Sequence, residues 1–384
     1  MARSAHAYVR GNTLRFYEWL ATGDAPKSIP QGPPIWICGD CHIGNLGPVA
    51  GLDGKIDIQI RDLDQTVIGN PSHDLLRLGL SLAMAARSSD LPGLTTALMI
   101  EVMIDAYIHG LLGHKTKDDS DKISTVEEVM QSATIRRWRD LAADHIRDAR
   151  PEIPLGDKLW PLTSKERKQL IALFENPEKH HLIESISGGQ KDVAIRVMDA
   201  AYWVKGCSSL GRVRFAVLVG IGKKRDRKFR LIDVKEATKA LAPATKGAKM
   251  PKNDARRVVE GARQLSPFLG ERMVPASFAG KNVVVRELRP QDLKFEFAGL
   301  TQQEAILTAK LLAGVVGKAH GRQMKGGERR SWARTLKASY SKTLDAPSWL
   351  WNGVVDLVAV HEAAYLRHCR QFALSESKRG LVRG

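Results

Sequence analysis

Two hydrophobic periods occur in the first hundred residues of the chain. Between residues 55 and 62, Ile56, Ile58 and Ile60 share one face and polar side chains occupy the other. This period of two predicts a half-buried β-strand, and the short apolar run at residues 35–38 predicts a buried one. Apolar residues three or four positions apart predict amphipathic helices instead. That spacing occurs at residues 10–22, 75–85 and 94–106.

The middle of the chain changes to strand patterns from about residue 192. Two apolar segments, residues 213–221 and 229–235, are separated by a charged turn, which predicts a β-hairpin. A helix predicted at residues 254–265 is followed by a strand at residues 283–288. Helical patterns return at residues 301–320 and 349–373.

These patterns predict an α+β fold, and the length of 384 residues suits two domains or one large bilobed unit. Shifts in composition divide the chain into four segments. Residues 114–190 form a helical, basic insertion, and residues 191–300 form a small lobe with an antiparallel sheet. Residues 1–113 and 301–384 are expected to build a mainly helical lobe, with a tail at its end.

The composition excludes several classes of protein. A hydrophobic fraction of 43% and a charged fraction of 26% are typical of a folded globular chain rather than a disordered one. Four cysteines do not form a disulfide framework, which favours a reducing cytoplasm. The longest apolar runs fall short of the roughly 18 residues of a membrane span. The first six residues lack the apolar core of a secretory signal, so we expect a cytoplasmic protein without membrane segments.

Net charge narrows the choice of partners without deciding among them. The chain has 59 Lys and Arg residues against 42 Asp and Glu residues, a formal charge of +17. This excess favours anionic partners such as nucleotides, phosphorylated substrates, nucleic acid or acidic proteins. Because no zinc-finger or RNA-recognition signature occurs, nucleic acid is the less favoured of these.

The residues most suggestive of chemistry lie in the segment Cys38-Gly-Asp-Cys-His-Ile-Gly-Asn45. Asp40 and Asn45 are in a loop after a predicted strand, and Asp62 ends the next strand. This arrangement of loop, strand, turn and strand brings the three side chains around one site. Two such oxygen ligands suit Mg²⁺ bound together with phosphate oxygens, and a further carboxylate orients an attacking hydroxyl group.

The pattern Gly-Asp-x-His-x-x-Asn resembles the catalytic loop of aminoglycoside phosphotransferases and related kinase-like enzymes. Downstream, Pro71 and Asp74 follow Asp62 at the spacing of that family's second motif. The resemblance implies that Asp74 braces the catalytic loop. One departure is Cys38, which stands where the family usually has histidine.

The same resemblance implies a role for each polar residue of the loop. Asp40 is then the catalytic aspartate, and Asn45 and Asp62 are ligands of Mg²⁺. Asp64 is either a further Mg²⁺ ligand or a supporting residue. His42 is assigned as a catalytic residue. The equally weighted alternative is that it donates a hydrogen bond that braces the loop.

The order of the motifs differs from that of ordinary kinase-like proteins, in which the nucleotide-binding lobe precedes this loop. Only about 37 residues precede it here, too few for such a lobe. A glycine-rich turn that resembles the phosphate-covering loop comes later, followed by a strand that ends in Lys235, which resembles the ATP-phosphate lysine. The turn contributes Gly206, Ser208, Ser209 and Gly211 as candidate nucleotide-binding residues.

Further along the chain, the helix at residues 254–265 offers Glu260 as the partner of Lys235. Glu287 and Leu288 end the strand that would lead into the adenine-holding hinge. This order implies a circularly permuted kinase-like fold. The chain is also similar to the bacterial family named domain of unknown function 2252, which shares the Asp-x-Asp, Gly-x-x-Ser-x-Gly and Lys-Glu-Ala segments.

The resemblance implies transfer of the γ-phosphate of ATP, with Mg²⁺, to an unknown hydroxyl acceptor. Transfer of AMP, or nucleotide binding without catalysis, are the alternatives within the same fold. Outside it, the sequence leaves a metal-dependent phosphoesterase and a nucleic-acid-binding protein open. Cys38 and Cys41 also suggest a zinc or redox site, but no second cysteine pair accompanies them.

Overall fold

The computed structural model describes residues 4–22, 25–114, 152–175, 195–204, 211–222, 227–290, 292, 301–338 and 346–381. Gly206, Ser208 and Ser209 therefore lie outside the described residues, as does most of the predicted insertion at 114–190. The described chain has a mixed α+β fold with antiparallel sheets, as the sequence predicts.

The main sheet has six antiparallel strands in the order β5-β6-β7-β8-β10-β9. The hairpin predicted at residues 213–221 and 229–235 is confirmed as β7 and β8, and the helix predicted at residues 254–265 is confirmed at Asp254–Leu265, between β8 and β9. The strands are β5 Leu159–Trp160, β6 Ile195–Trp203, β7 Arg214–Ile221, β8 Lys228–Glu236, β9 Met273–Phe278 and β10 Lys281–Leu288.

Two short strand pairs and most of the helices form the remaining part of the fold. β1 pairs with β4, and β2 pairs with β3. The strands are β1 Ile35–Ile37, β2 Leu46–Ala50, β3 Ile56–Ile60 and β4 Val67–Gly69. The helices are α1 Ala5–Gly11, α2 Thr13–Ala21, α3 Ser72–Ser88, α4 Gly93–Leu112, α5 Ser164–Phe174, α6 Asp254–Leu265, α7 Pro267–Gly270, α8 Gln302–Gly321, α9 Gly326–Ala338 and α10 Ser348–Leu381.

Capping explains two differences from the predicted elements. The helix predicted at residues 10–22 is divided at Asn12, whose side chain accepts a hydrogen bond from the N–H of Arg15 and starts α2. Helix α9 lies between the helices predicted at residues 301–320 and 349–373, and at its start Glu328 accepts a hydrogen bond from the N–H of Lys325 at 2.8 Å. Side-chain hydrogen-bond acceptors close in sequence therefore determine where α2 and α9 begin.

The two faces of the main sheet have different environments. Ile232 and Val234 on β8 point into an apolar cluster that is covered by Leu170 and Phe174 of α5. The opposite face carries Asp233 and Lys235 on the same strand because side chains alternate along β8. This second face also carries an apolar cluster of Ile153, Leu159, Ala201, Trp203, Ala216, Leu218, Leu231 and Leu288.

Helices α4 and α8 approach each other closely because glycines line their contact. A Cβ atom at Gly317 would lie 2.1 Å from the carbonyl oxygen of Tyr107, and one at Gly110 would lie 2.2 Å from that of Gly314. Among the described helices, α4 is the one long and apolar enough to cross a bilayer by length and composition. The same properties belong to a core helix, and α4 buries Ile104, Tyr107 and Leu111.

We predict that Gly317→Ala lowers the free energy of unfolding by about 1–3 kcal/mol, because the added methyl group forces α4 and α8 apart. Gly327→Ala on α9 is the matched control, since no atom lies within 4 Å of its added Cβ. Its stability should equal or slightly exceed that of the parent protein. Urea unfolding measures both, and equal stability of Gly317→Ala and the parent would contradict the close helix contact.

Candidate functional site

The β2–β3 hairpin brings Asn45 and Asp62 to the same end of one strand pair. Leu46 pairs with Ile60, and the N–H of Arg61 donates to the carbonyl of Asn45 at 2.7 Å. The Asn45 amide also donates to the carbonyl of Asp40 at 3.0 Å. Asn45 is therefore in contact with Asp40 through its side chain and with the residue before Asp62 through its backbone.

A buried carboxylate shapes the loop that carries Asp40. Asp74 accepts hydrogen bonds from the N–H groups of Cys38 at 2.7 Å and Gly39 at 2.9 Å, which confirms its predicted bracing role. Gly39 has φ +74°, and a Cβ there would lie 2.2 Å from the carbonyl oxygen of Gln65. Only glycine fits this position. His320 supports Asp74 from α8 at 3.1 Å.

Both carboxylate oxygens of Asp40 are engaged by other side chains. Arg77 Nε donates to Oδ1 at 2.8 Å, and Thr13 Oγ1 donates to Oδ2 at 2.9 Å. Arg77 is fully buried in α3, and its Nη2 donates to the carbonyl of Val9 at 2.8 Å. Arg77 and Thr13 are absent from the sequence prediction. The available signal was a charged residue within the apolar pattern of residues 75–85.

His42 is buried beside this loop, with 5% of its surface exposed. Its Nδ1 accepts a hydrogen bond from the N–H of Gly44 at 3.1 Å, and its Nε2 lies 3.9 Å from Asp40 Oδ2. Burial lowers the pKa of His42 to about 4, so the ring is neutral at pH 7. The geometry fits the bracing alternative, in which a neutral ring closes the turn.

Lys235 reaches from the main sheet to the loop after β3. Its ammonium group lies 3.5 Å from Asp62 Oδ1 and forms a shorter ion pair with Asp64. The side chains of Asp62 and Asp64 are 49% and 36% exposed, so both still face solvent. The structure thus brings the strand that ends near Lys235 into contact with the loop that carries Asp62 and Asp64.

The charges in this cluster shift one another's ionisation. Partial desolvation by the surrounding protein raises the pKa of Asp62, but the positive charges of Lys235, Arg286 and Arg214 outweigh that effect and hold the pKa below its ordinary value. Partial desolvation and the neighbouring Asp62 charge raise the pKa of Asp64. Burial lowers the pKa of Lys235, but both carboxylates outweigh it and raise the pKa. Lys235 is therefore a persistent cation.

Arginines on the sheet face hold this arrangement in place. Arg214 on β7 makes two hydrogen bonds to Asp233, at 2.6 and 3.1 Å. Arg286 on β10 donates to the carbonyl of Arg61 at 3.1 Å. The sheet and the loop after β3 are therefore linked through backbone as well as through side-chain charges.

Helix α6 approaches the same loop, but not with the residue that the sequence suggested. Glu260 is exposed, and the ion pairs that Lys235 makes with other described residues are those with Asp62 and Asp64. Arg257 faces inward instead, where its Nη2 donates to the carbonyl of Asp64 at 3.1 Å. Glu260 is thus not brought to Lys235, because its side chain lies on the solvent-exposed side of α6.

The predicted hinge residues are already engaged within the protein. Glu287 is 2% exposed, and its carboxylate pairs with Arg230 at 2.9 Å and Arg289 at 3.2 Å. Its N–H donates to the carbonyl of Arg272, and its carbonyl accepts from the Arg272 guanidinium. The backbone groups of Glu287 are therefore occupied. Leu288 is buried in the apolar cluster on the Lys235 face.

Strand β6 ends and strand β7 begins at the end of the sheet where Lys235 lies. Tyr202 pairs with Phe215, and Arg214 pairs with Lys235. Gly211, the described end of the candidate glycine-rich turn, has φ +74° and is exposed. A left-handed glycine at this position matches a tight turn.

A model of the protein family DUF2252, described as "Uncharacterized protein conserved in bacteria", matches residues 1–371. The chain belongs to this family. No curated protein and no solved structure matches the chain. The DUF2252 assignment thus agrees with the sequence resemblance to that bacterial family. The family description states neither a reaction nor a substrate.

Two cysteines of this DUF2252 chain lie next to the site as buried thiols. Cys38 and Cys41 have no exposed surface. The pKa of Cys38 is raised mainly by its hydrogen bond with Cys41 and secondly by burial. The pKa of Cys41 is also raised. Raised pKa values disfavour the thiolate form needed for metal binding or redox attack. Both thiols therefore act as packing residues.

The donor set of the DUF2252 site fits Mg²⁺ carried by a phosphate ligand. Among the described residues, no group of three His, Cys, Asp or Glu side chains is arranged to hold a metal ion by itself. Asp62 and Asp64 supply two partly exposed carboxylates beside Lys235, and Asn45 lies at the end of the same hairpin. Mg²⁺ commonly binds with one or two carboxylates plus substrate phosphates.

We predict that His42 makes the free energy of unfolding of this DUF2252 protein depend on pH. Its pKa rises from about 4 in the folded protein to about 6.5 in the unfolded chain. Between these values the unfolded chain binds the extra proton, so the free energy of unfolding falls as the pH falls. His42→Asn should reduce that slope by up to about 1.4 kcal/mol per pH unit.

Urea unfolding at several pH values between 4 and 7 measures this slope. His109→Asn, a change at an exposed histidine of α4, is the control and should leave the slope as it is. An identical slope in His42→Asn and the parent protein would show that His42 is not buried as a neutral ring.

Proposed function

We propose that this protein is a Mg²⁺- and ATP-dependent phosphotransferase with a circularly permuted, bilobed, kinase-like fold. The observation that carries the proposal is the contact of Lys235 with Asp62 and Asp64. In kinase-like enzymes a strand lysine binds ATP phosphates and a nearby aspartate binds Mg²⁺. Here the same pair of groups meets between a sheet and a loop that lie far apart in sequence.

The order of elements supports the permuted fold. Strand β7, the lysine strand β8, helix α6 and strands β9 and β10 follow the glycine-rich segment of the sequence in the order of the small-lobe elements of a kinase. The candidate catalytic loop precedes them all, between β1 and β2. A permutation places the catalytic loop first in sequence while preserving its spatial position opposite the lysine.

Each group then has a task in phosphoryl transfer. Asp62 and Asn45 would hold Mg²⁺, with Asp64 as a further ligand or a supporting residue, and the ion would neutralise phosphate charge. Lys235 neutralises charge on the α- and β-phosphates. Asp40 accepts the proton of the attacking hydroxyl group, and Arg77 and Asp74 hold it in place.

Nucleotide binding would exchange ion pairs at this site. Asp62 and Asp64 neutralise Lys235 directly. A Mg-nucleotide offers a cation for the carboxylates and anionic oxygens for the ammonium group, so every charge keeps a partner. The partial exposure of both carboxylates gives the ligand access to them.

We predict that Lys235→Ala weakens Mg-ATP binding by about ten- to a hundredfold, the cost of one charged hydrogen bond. Lys281→Ala is the matched control because Lys281 pairs with Glu236 at 2.8 Å on the neighbouring strand. Calorimetric titration with Mg-ATP measures both affinities. Equal affinity of Lys235→Ala, Lys281→Ala and the parent would overturn the proposal.

Transfer itself is tested with labelled ATP and hydroxyl acceptors. Label from the γ-phosphate supports phosphoryl transfer, whereas label from the α-phosphate would assign AMP transfer instead. Asp40→Asn should lower the transfer rate by about 10²–10⁴-fold because it removes the proton acceptor.

A further inference from the structure

A hydroxyl group of this chain already contacts the carboxylate assigned as the proton acceptor. Thr13 Oγ1 donates to Asp40 Oδ2 at 2.9 Å. In the proposed reaction the attacking hydroxyl makes this same contact before transfer. Thr13 therefore occupies the place of an acceptor hydroxyl at its own site.

The contact belongs to a docked segment rather than to an isolated side chain. Tyr17 on α2 donates its hydroxyl to the carbonyl of Gly39, and Arg77 binds the carbonyl of Val9 at the end of α1. Helix α2 thus rests on the loop that carries Asp40, and α1 is bound to Arg77 of α3 beside it. Asn12 divides the two helices and places Thr13 at the first position of α2.

Positive charge surrounds the contact on the side of the N-terminal segment. Arg77 binds the other oxygen of Asp40, and its Nη1 has no hydrogen-bond partner in the described part of the chain. The Arg10 guanidinium lies over Gly44, since a Cβ built there would be 2.9 Å from Arg10 Cζ. These cations suit a phosphate group arriving at Thr13.

We propose that Thr13 is an internal acceptor and that the protein transfers the γ-phosphoryl group of ATP to it. The proposal rests on the phosphotransferase function argued above. The bond from Thr13 Oγ1 to the γ-phosphorus forms, and the bond from that phosphorus to the β–γ bridging oxygen breaks. The hydroxyl proton passes to the Asp40 carboxylate and then to water, and ADP leaves.

Phosphorylation of Thr13 removes the hydrogen bond to Asp40 on which the transfer depends. Phosphorylated Thr13 no longer donates to Asp40, and its negative charge lies beside that carboxylate. Repulsion between the two then favours release of α2 from the loop, which frees Asp40 for an external hydroxyl acceptor.

The test incubates the full chain with Mg²⁺ and γ-labelled ATP, followed by mass spectrometry of the peptide that contains residues 11–15. We expect one phosphate on Thr13. Thr13→Ala should lower the label at least about tenfold, and Thr13→Ser should retain it because it keeps the hydroxyl group. Thr22→Ala is the control, since Thr22 is exposed at the other end of α2 and donates to the carbonyl of Glu18; it should be labelled like the parent.

A second arm separates this proposal from the proposed function. Thermal denaturation with and without Mg-ATP reports nucleotide binding in the same samples. Stabilisation by Mg-ATP without phosphate on Thr13 would overturn the internal acceptor alone, whereas absence of both would overturn both proposals. Undiminished label in Thr13→Ala, or a labelling rate per molecule that rises with protein concentration, would also exclude transfer within one chain.

Discussion

The ion pairs that Lys235 makes with Asp62 and Asp64 are the interaction on which the architecture of the site depends. A lysine at the end of an interior strand is costly to bury unless opposite charge meets it. The two aspartates meet it from a loop on the other part of the fold. The sheet and the β2–β3 hairpin are consequently held together at the point where chemistry is proposed.

Backbone hydrogen bonds from arginines make this meeting geometrically defined. Arg257 and Arg286 donate to carbonyls of the segment between Arg61 and Asp64, so the loop is held from α6 and from β10. A guanidinium group is suited to this because it presents several donors in a fixed plane. The positions of the carboxylates then depend on rigid elements rather than on the loop itself, which is the condition for preorganised electrostatics.

The loop around Asp40 is also held by a buried charged group, in this case the carboxylate of Asp74. Asp74 fixes the backbone through two N–H groups, while Gly39 permits the close approach to Gln65. His42 remains neutral because it is buried next to arginines. The cost of burying Arg77 is offset by Asp40 and by the carbonyl of Val9, which ties α1 and α3 to the loop.

Part of this site could be predicted from sequence because the residues that form that part are close to one another along the chain. Asp40, Asn45 and Asp62 lie on one hairpin and the loop before it, and α6 was found because its apolar period is strong. The functional face of α6 was not found, since Glu260 and Arg257 are both compatible with its amphipathic pattern. The rotation of a helix about its axis depends on packing against β9 and β10, which local periodicity does not encode.

The α+β class, the principal strands and helices, the family and the loop that carries Asp40 are recognisable in the amino-acid pattern, because periodicity and motif spacing are properties of neighbouring residues. Three contacts depend on the folded chain instead: Lys235 pairs with Asp64 as well as Asp62, Arg257 faces inward, and Thr13 contacts Asp40. Each of these depends on long-range packing, in which the burial of charge selects partners that are distant along the chain.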